Sequence, residues 1–366
     1  MSGAVLDTKE FIPPPPGEKL GHPRALWMLF GAEFWERFCY YGMRALLAVY
    51  VAAQFFAHLP AGEAKAQASL TYGGYTSLVY ATGILGGMIA DRYLGYQRSI
   101  ILGGLLMAVG CFMLLSPEIH LFLIGLAVIV AGNGLFKPNI STMVGKLYAP
   151  GDVRRDSGFT IFYMGINAGA FVAPLITAVW IGANYGYKYG FLAAAIGMIF
   201  GIAVFQVRKG MLGHVGKSPA GREGWGPVLN VLVGAILLVP VIYFLLSQSE
   251  ILGVVLLALF AGLAVYLIWS GYSETSVQGQ KYIAMFLLFT ANILFWALFE
   301  QAGASLNFLA QDHVNAPFHF TLFQSANPLF IVLLAPVFAM MWPWLDKMNM
   351  NPSIPRKFAM ALIGMA

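Results

Sequence analysis

Apolar residues in this chain run in blocks of about twenty or more, separated by short segments rich in charge, glycine or proline. Blocks of that length cross a hydrocarbon core of about 30 Å as helix. The pattern predicts helices at about 25–56, 70–91, 98–116, 120–147, 157–183 and 186–207, then 226–247, 250–270, 281–310 and 320–344, with a further one beginning near 357. The first residues, through Phe11-Ile12-Pro13-Pro14-Pro15-Pro16-Gly17, lack the apolar stretch of a signal peptide, so 1–24 reads as a disordered tail. The longest polar linker, near 208–225, sets a six-span half at 25–207 apart from the spans that follow.

Composition agrees with the pattern. Of 366 residues, 59% are hydrophobic and 10% charged, whereas a soluble domain carries about 25% charge. The chain has too little polar surface to be a water-soluble globule. Cys39 and Cys111, the two cysteines, both fall inside apolar spans and cannot make a disulfide framework or a metal cluster. The formal charge of +5 could suggest nucleic acid, but its distribution argues otherwise. With the N-terminus placed in the cytoplasm, 16 of the 21 Lys and Arg fall in cytoplasmic segments or span ends, 2 in outer loops and 3 (Arg37, Arg44 and Lys137) inside spans. Such a bias is the positive-inside rule, so the charge reports topology and no nucleic acid is expected.

Charges at bilayer depth are costly and should line a cavity with partners. The first span carries four, in Glu33-Phe34-Trp35-Glu36-Arg37-Phe38-Cys39-Tyr40-Tyr41-Gly42-Met43-Arg44. At about 100° per residue Glu33, Glu36, Arg37, Tyr40, Tyr41 and Arg44 share an arc of roughly 140°, which predicts a cavity face. Phe34, Trp35, Phe38 and Ala45 cover the opposite side, expected to face lipid. Two acids beside an arginine make a site where proton uptake changes which pairs exist. A purely structural ladder through the i, i+4 pair Glu33 and Arg37 is the plainer alternative.

The fourth span holds Lys137 beside Pro138, a cation able to meet a carboxylate or to pair with Glu33 or Glu36, next to a residue that interrupts the helix ladder. In the span at 281–310, Trp296, Glu300 and Asn307 share a face on continuous helical geometry, and Glu300 is placed to answer Arg44 across the two halves as an outer gate. Asn327-Pro328 offers an amide beside an expected helix break. Asn167 is a second candidate amide, with interhelical hydrogen bonding as the alternative for both. Asp91, at the turn after span two, reads as a structural hinge. No nucleotide-binding loop, nucleophile motif or zinc spacing is present, so neither an enzyme nor a cofactor is expected.

Three stretches in order carry a resemblance. Glu33-x-x-Glu36-Arg37-Phe38-x-Tyr40-Tyr41-Gly42, Gly134 to Ser141 and Asp156 to Gly169 resemble signatures of the proton-dependent oligopeptide transporter (POT) family of the major facilitator superfamily. Gly86 to Gly95 and Phe295-Trp296-x-x-x-Glu300-Gln301 are similar to further motifs of that superfamily and family. The resemblance implies an all-α membrane protein: two six-helix bundles around a cavity, two inserted helices over 226–270 and the start of an incomplete second bundle over 271–366. It implies proton-driven import of di- and tripeptides across the cell (inner) membrane by a monomer. Glu33, Glu36, Arg37 and Glu300 would serve coupling. Arg37, Tyr40, Tyr41, Tyr80, Lys137, Asn167, Trp296 and Asn327 would line the peptide site, Arg44 and Glu300 would gate it, and Asp91, Pro138 and Pro328 would be structural. The family has four more helices after its eighth, so 1–366 is expected to be part of a longer protein. Another small anion, such as nitrate or a carboxylate, remains an alternative cargo, and a non-transporting receptor a more distant one.

Overall fold

The computed structural model describes residues 14–15, 17–152, 154–273 and 275–365. A short antiparallel hairpin, β1 (Glu18–Lys19) and β2 (His22–Pro23), leads into α1 (Arg24–Gln54). Of the tail expected to be disordered, residues 1–13 and 16 lie outside the described residues, but 18–23 are ordered, which corrects that expectation. His22 is buried, with Nδ1 2.8 Å from the Tyr148 hydroxyl, and Arg154 pairs with Glu18 at 2.7 Å. Both anchors are more than 120 residues away in sequence, beyond the reach of local pattern.

The first half continues with α2 (Ala61–Ile89), α3 (Tyr96–Met113), α4 (Ile119–Lys146) and α5 (Arg154–Pro174). A wide-turn segment (Leu175–Gly182) and α6 (Ala183–Tyr185) follow, then α7 (Tyr187–Arg208). α2 begins well before the predicted 70, because its first turns are polar and lie outside the apolar block. Glu118 caps α4 by accepting from the backbone N–H groups of His120 and Leu121, at 2.8 and 2.7 Å; these bonds hold its carboxyl below the usual range. Between α2 and α3 the chain makes one wide turn (Ala90–Leu94) in which Asp91 accepts from the Tyr96 hydroxyl. Gly95 closes that turn at φ +77°, where a Cβ would also lie 2.4 Å from the Lys217 carbonyl oxygen.

Glycines set how closely these helices pack. A Cβ on Gly103 of α3 would lie 2.5 Å from the Gly132 carbonyl oxygen of α4, and the reverse distance is also 2.5 Å. Gly110 and Gly125 repeat the contact one step along, and a Cβ on Gly86 of α2 would lie 1.8 Å from the Gly134 carbonyl oxygen. Backbones that touch this way draw on van der Waals packing, the main attraction open to helices in lipid.

α1 runs through the middle of this half. Its supposed lipid face is in fact covered by α5 and α7, which corrects the sequence expectation. Phe38 is buried against Gly197, Ala45 is buried, Phe34 lies over Gly169, and Trp35 stacks on Phe200 at 5.3 Å. Apolar periodicity cannot distinguish lipid from an apolar neighbouring helix, since both are hydrocarbon.

The linker after α7 is held against the α2–α3 turn. Arg98 donates to the carbonyls of Arg222, Glu223 and Gly224, and Ser218 donates to the Leu94 carbonyl at 2.8 Å. Next come α8 (Gly226–Ser247), packed on α4 and α2, and α9 (Ser249–Ser273), packed on α10 (Ser276–Phe299). The predicted single helix at 281–310 is broken: Glu300–Gly303 form a tighter turn, Ala304 leaves helical geometry, and α11 (Ser305–His313) follows. α12 (Phe323–Lys347) and α13 (Ile354–Met365) complete the described chain. Pro328 lies near the start of α12 and does not break it, because few intrahelical bonds precede it. α4 likewise runs unbroken through Pro138. Among the described residues, eight helical segments are long and apolar enough to cross a membrane by length and composition; the charge-bearing α1 and the polar-started α2 are not among them.

Candidate functional site

The charges of α1 fall into two groups. In the inner one, Arg37 Nε lies 3.1 Å from Glu33 Oε1 and donates to Glu36 Oε2. All three side chains are buried, at 4% exposure or less. The Asn133 amide of α4 donates to Glu36 Oε1 at 3.2 Å. Glu33 Oε2 and Arg37 Nη2 are buried without a hydrogen-bond partner among the described residues. The guanidinium lies 5.1 Å from the Tyr40 ring centre, and Tyr40 meets Tyr41 edge-on at 5.2 Å. One cation shared by two carboxylates leaves the cluster a net −1, an imbalance that one proton cancels.

The second group joins the two halves. Arg44 Nη2 lies 3.1 Å from Glu300 Oε2, an ion pair whose angle is too poor for a hydrogen bond. Tyr72 of α2 links the pair: its hydroxyl accepts from Arg44 Nε at 2.7 Å and donates to Glu300 Oε2 at 3.0 Å. Tyr80, two turns along α2, donates to Glu300 Oε1 at 3.4 Å and packs against Trp296 with ring centres 5.6 Å apart. Glu300 sits at the tight turn between α10 and α11, so the helix break presents its carboxylate to three residues at once.

Between α2 and the α10–α11 turn lies a cavity of about 620 Å³ whose lining includes Tyr72, Thr76, Tyr80, Trp296, Glu300 and Gln301. It has the shape and mixture expected of a small-molecule site: aromatic walls with a few polar groups. Lys137 borders it indirectly, with Nζ 4.2 Å from the Tyr80 ring centre; of its two alternative roles, pairing with Glu33 or Glu36 is not formed among the described residues. Tyr40 is buried inside the first half, packed against Tyr75, instead of lining this cavity. Asn167 is buried and its amide donates to the Tyr163 carbonyl of its own helix at 2.8 Å. Asn327 is exposed on α12, away from the lining. Asn307, placed on the Glu300 face by continuous helical phase, instead donates to the Ala45 carbonyl at 3.1 Å because the helix breaks before it.

Two residues of this arrangement were not singled out in the sequence. Tyr72 shares a four-residue spacing with Thr76 and Tyr80, a polar stripe along α2 that could have shown it. Asn133 sits between two packing glycines and has no comparable local signal.

Comparison with known proteins agrees with the geometry. Residues 97–366 match the model of the POT family. The chain is 36% identical over 376 residues to an uncharacterized transporter YclF of Bacillus subtilis (strain 168), covering 98% of this chain and 75% of that protein. It is 38% identical over 373 residues to a di-/tripeptide transporter of Lactococcus lactis subsp. lactis, covering 94% and 73% respectively. A crystal structure of the peptide transporter POT in complex with sulfate superposes with a TM-score of 0.78 at 39% identity, over 95% of this chain and 73% of that one. A POT family transporter in complex with 5-aminolevulinic acid superposes at 0.79 and 33% identity, over 95% and 74%. The chain thus spans about three quarters of the length of such relatives. With its buried charge cluster and its helical architecture in place, the chain belongs to the POT family, on the major facilitator superfamily fold.

Proposed function

We propose that this chain is a proton-coupled symporter that imports di- and tripeptides by alternating access, as a monomer in the cell (inner) membrane with its N-terminus in the cytoplasm. The observation that carries the reading is the buried cluster in which Arg37 alone serves both Glu33 and Glu36. A proton on either glutamate frees the guanidinium from one partner, and a peptide carboxylate then becomes a competing partner for it. Coupling is the exchange of those partners. Names of relatives as di-/tripeptide transporters support the cargo. The aromatic cavity lined by Tyr80 and Trp296 supplies apolar walls tolerant of varied side chains, and Lys137 supplies a second cation at its edge. Arg44, Tyr72 and Glu300 close one side, and protonating Glu300 would loosen that closure.

The test is uptake by proteoliposomes of the whole transporter. Labelled dialanine should accumulate under an inside-negative, acid-outside gradient and stop accumulating when a protonophore is added, while nitrate should not compete. Glu33→Gln and Glu36→Gln should each abolish gradient-driven accumulation yet retain peptide exchange. Driven uptake in both variants would overturn the coupling role, and uptake indifferent to the gradient would overturn symport.

A further inference from the structure

A second cavity, also about 620 Å³, lies at the opposite end of α1 from Arg44, where β1, α1 and α7 meet. Each element brings a cation to it: Lys19 from the hairpin, Arg24 from the first turn of α1 and Arg208 from the last turn of α7. Among the described residues none of the three has an ion pair. The one carboxylate in the lining, Glu18, is taken by Arg154 at 2.7 Å. Three like charges drawn from three elements line one cavity, a setting whose positive potential favours an anion.

The rest of the lining says what kind. Met28, Val204 and Met211 give an apolar floor continuous with the membrane-crossing part of α7. Trp27 stands at the helix end, where an indole prefers the boundary between headgroups and hydrocarbon. Its Nε1 donates to the Lys19 carbonyl at 3.0 Å, and the Lys19 ammonium lies 5.3 Å from its ring centre, which ties the hairpin cation to the membrane boundary. Beyond the cavity α7 exposes Phe200 and Val207, apolar surface along which an acyl chain can lie.

We propose that this cavity is a binding site for an anionic phospholipid of the leaflet bordering the N-terminal hairpin: its phosphate meets Lys19, Arg24 and Arg208, and its acyl chains run down α7. Bound there, the lipid fastens the hairpin to α1 and α7.

The experiment is mass spectrometry of lipid retained by the full-length transporter, purified from nanodiscs of phosphatidylcholine with or without phosphatidylglycerol. Wild type should retain phosphatidylglycerol in preference to phosphatidylcholine. The triple variant K19Q/R24Q/R208Q should lose that preference by about tenfold or more, since each basic residue near an anionic surface contributes a severalfold gain. Arg208→Lys with Arg24→Lys should keep most of it, which guards against a variant that simply misfolds. Lys188→Gln, at the other end of α7, should change nothing. Equal retention of the two lipids, undiminished retention by the triple variant, or displacement of the lipid by millimolar inorganic phosphate would each overturn the assignment. The readout is binding, so it stands or falls separately from the transport assay.

Discussion

Tyr72 touches both members of the Arg44–Glu300 pair through one hydroxyl. Its removal should therefore be felt twice. In Tyr72→Phe the buried Arg44 Nε loses its acceptor, and a buried charged donor left unpaired costs about 1–3 kcal/mol or more. We expect thermal unfolding of the detergent-purified protein to show a loss of that size. An unchanged melting temperature would mean that the hydroxyl adds nothing to the ion pair. The sequence marked Arg44 and Glu300 because charges inside apolar spans stand out. It left Tyr72 unmarked because a tyrosine in a helix is unremarkable until its neighbours are known. Lys137 shows the converse: its presence at depth was legible, but its neighbour is the Tyr80 ring and not a carboxylate.

Among elements, α3 and α4 meet backbone to backbone at Gly103–Gly132 and Gly110–Gly125. Even one methyl group there has no room, so Gly132→Ala should destabilise the protein by about 1–3 kcal/mol, as overpacking does, and Gly132→Leu should prevent folding. Gly83, on α2, has nothing within 4 Å of where its Cβ would lie. Gly83→Ala should instead be neutral or stabilising by up to about 1 kcal/mol, since alanine is the better helix former. Thermal unfolding of the two alanine variants side by side decides it; equal effects would show that close approach is not what these glycines provide. The helix boundaries themselves were legible wherever an apolar block ended in charge or glycine. The break at Glu300–Gly303 was not, because Trp296, Glu300 and Asn307 also fit one face of a continuous helix; in the fold Tyr72 packs directly over Gly303 at that break.

For the whole molecule, the ties between the first half and α10–α12 are unevenly placed. Arg44–Glu300, Lys65–Asp312, the Asn307 bond to the Ala45 carbonyl and the Ser325 bond to the Phe171 carbonyl all lie on the side away from the hairpin. In the alternating-access reading proposed above, these ties would hold that side closed. Breaking it should release the far side. Glu300→Gln leaves Arg44 buried with half its partner, a loss of up to about 3–5 kcal/mol for a buried pair. The double variant Arg44→Met with Glu300→Leu should recover most of that loss. Melting temperatures of the single and double variants give the coupling energy, and a double variant no better than Glu300→Gln would show that the pair does not hold the halves.

Periodicity, composition and the position of each Lys and Arg were sufficient for a helical membrane protein with charges in its first span, because burying a charge in hydrocarbon is costly enough to be visible one residue at a time. They could not say which apolar face meets lipid and which meets a neighbour. Phe34 and Phe38 are alike in composition to lipid-facing residues and differ only in having α5 and α7 beside them. Nor could they place Asn133 on Glu36 or Tyr72 on Glu300, pairs separated by 97 and 228 residues. Partners that far apart are brought together by glycine-mediated helix contact and by the turn after α10, which exist only once the chain has packed.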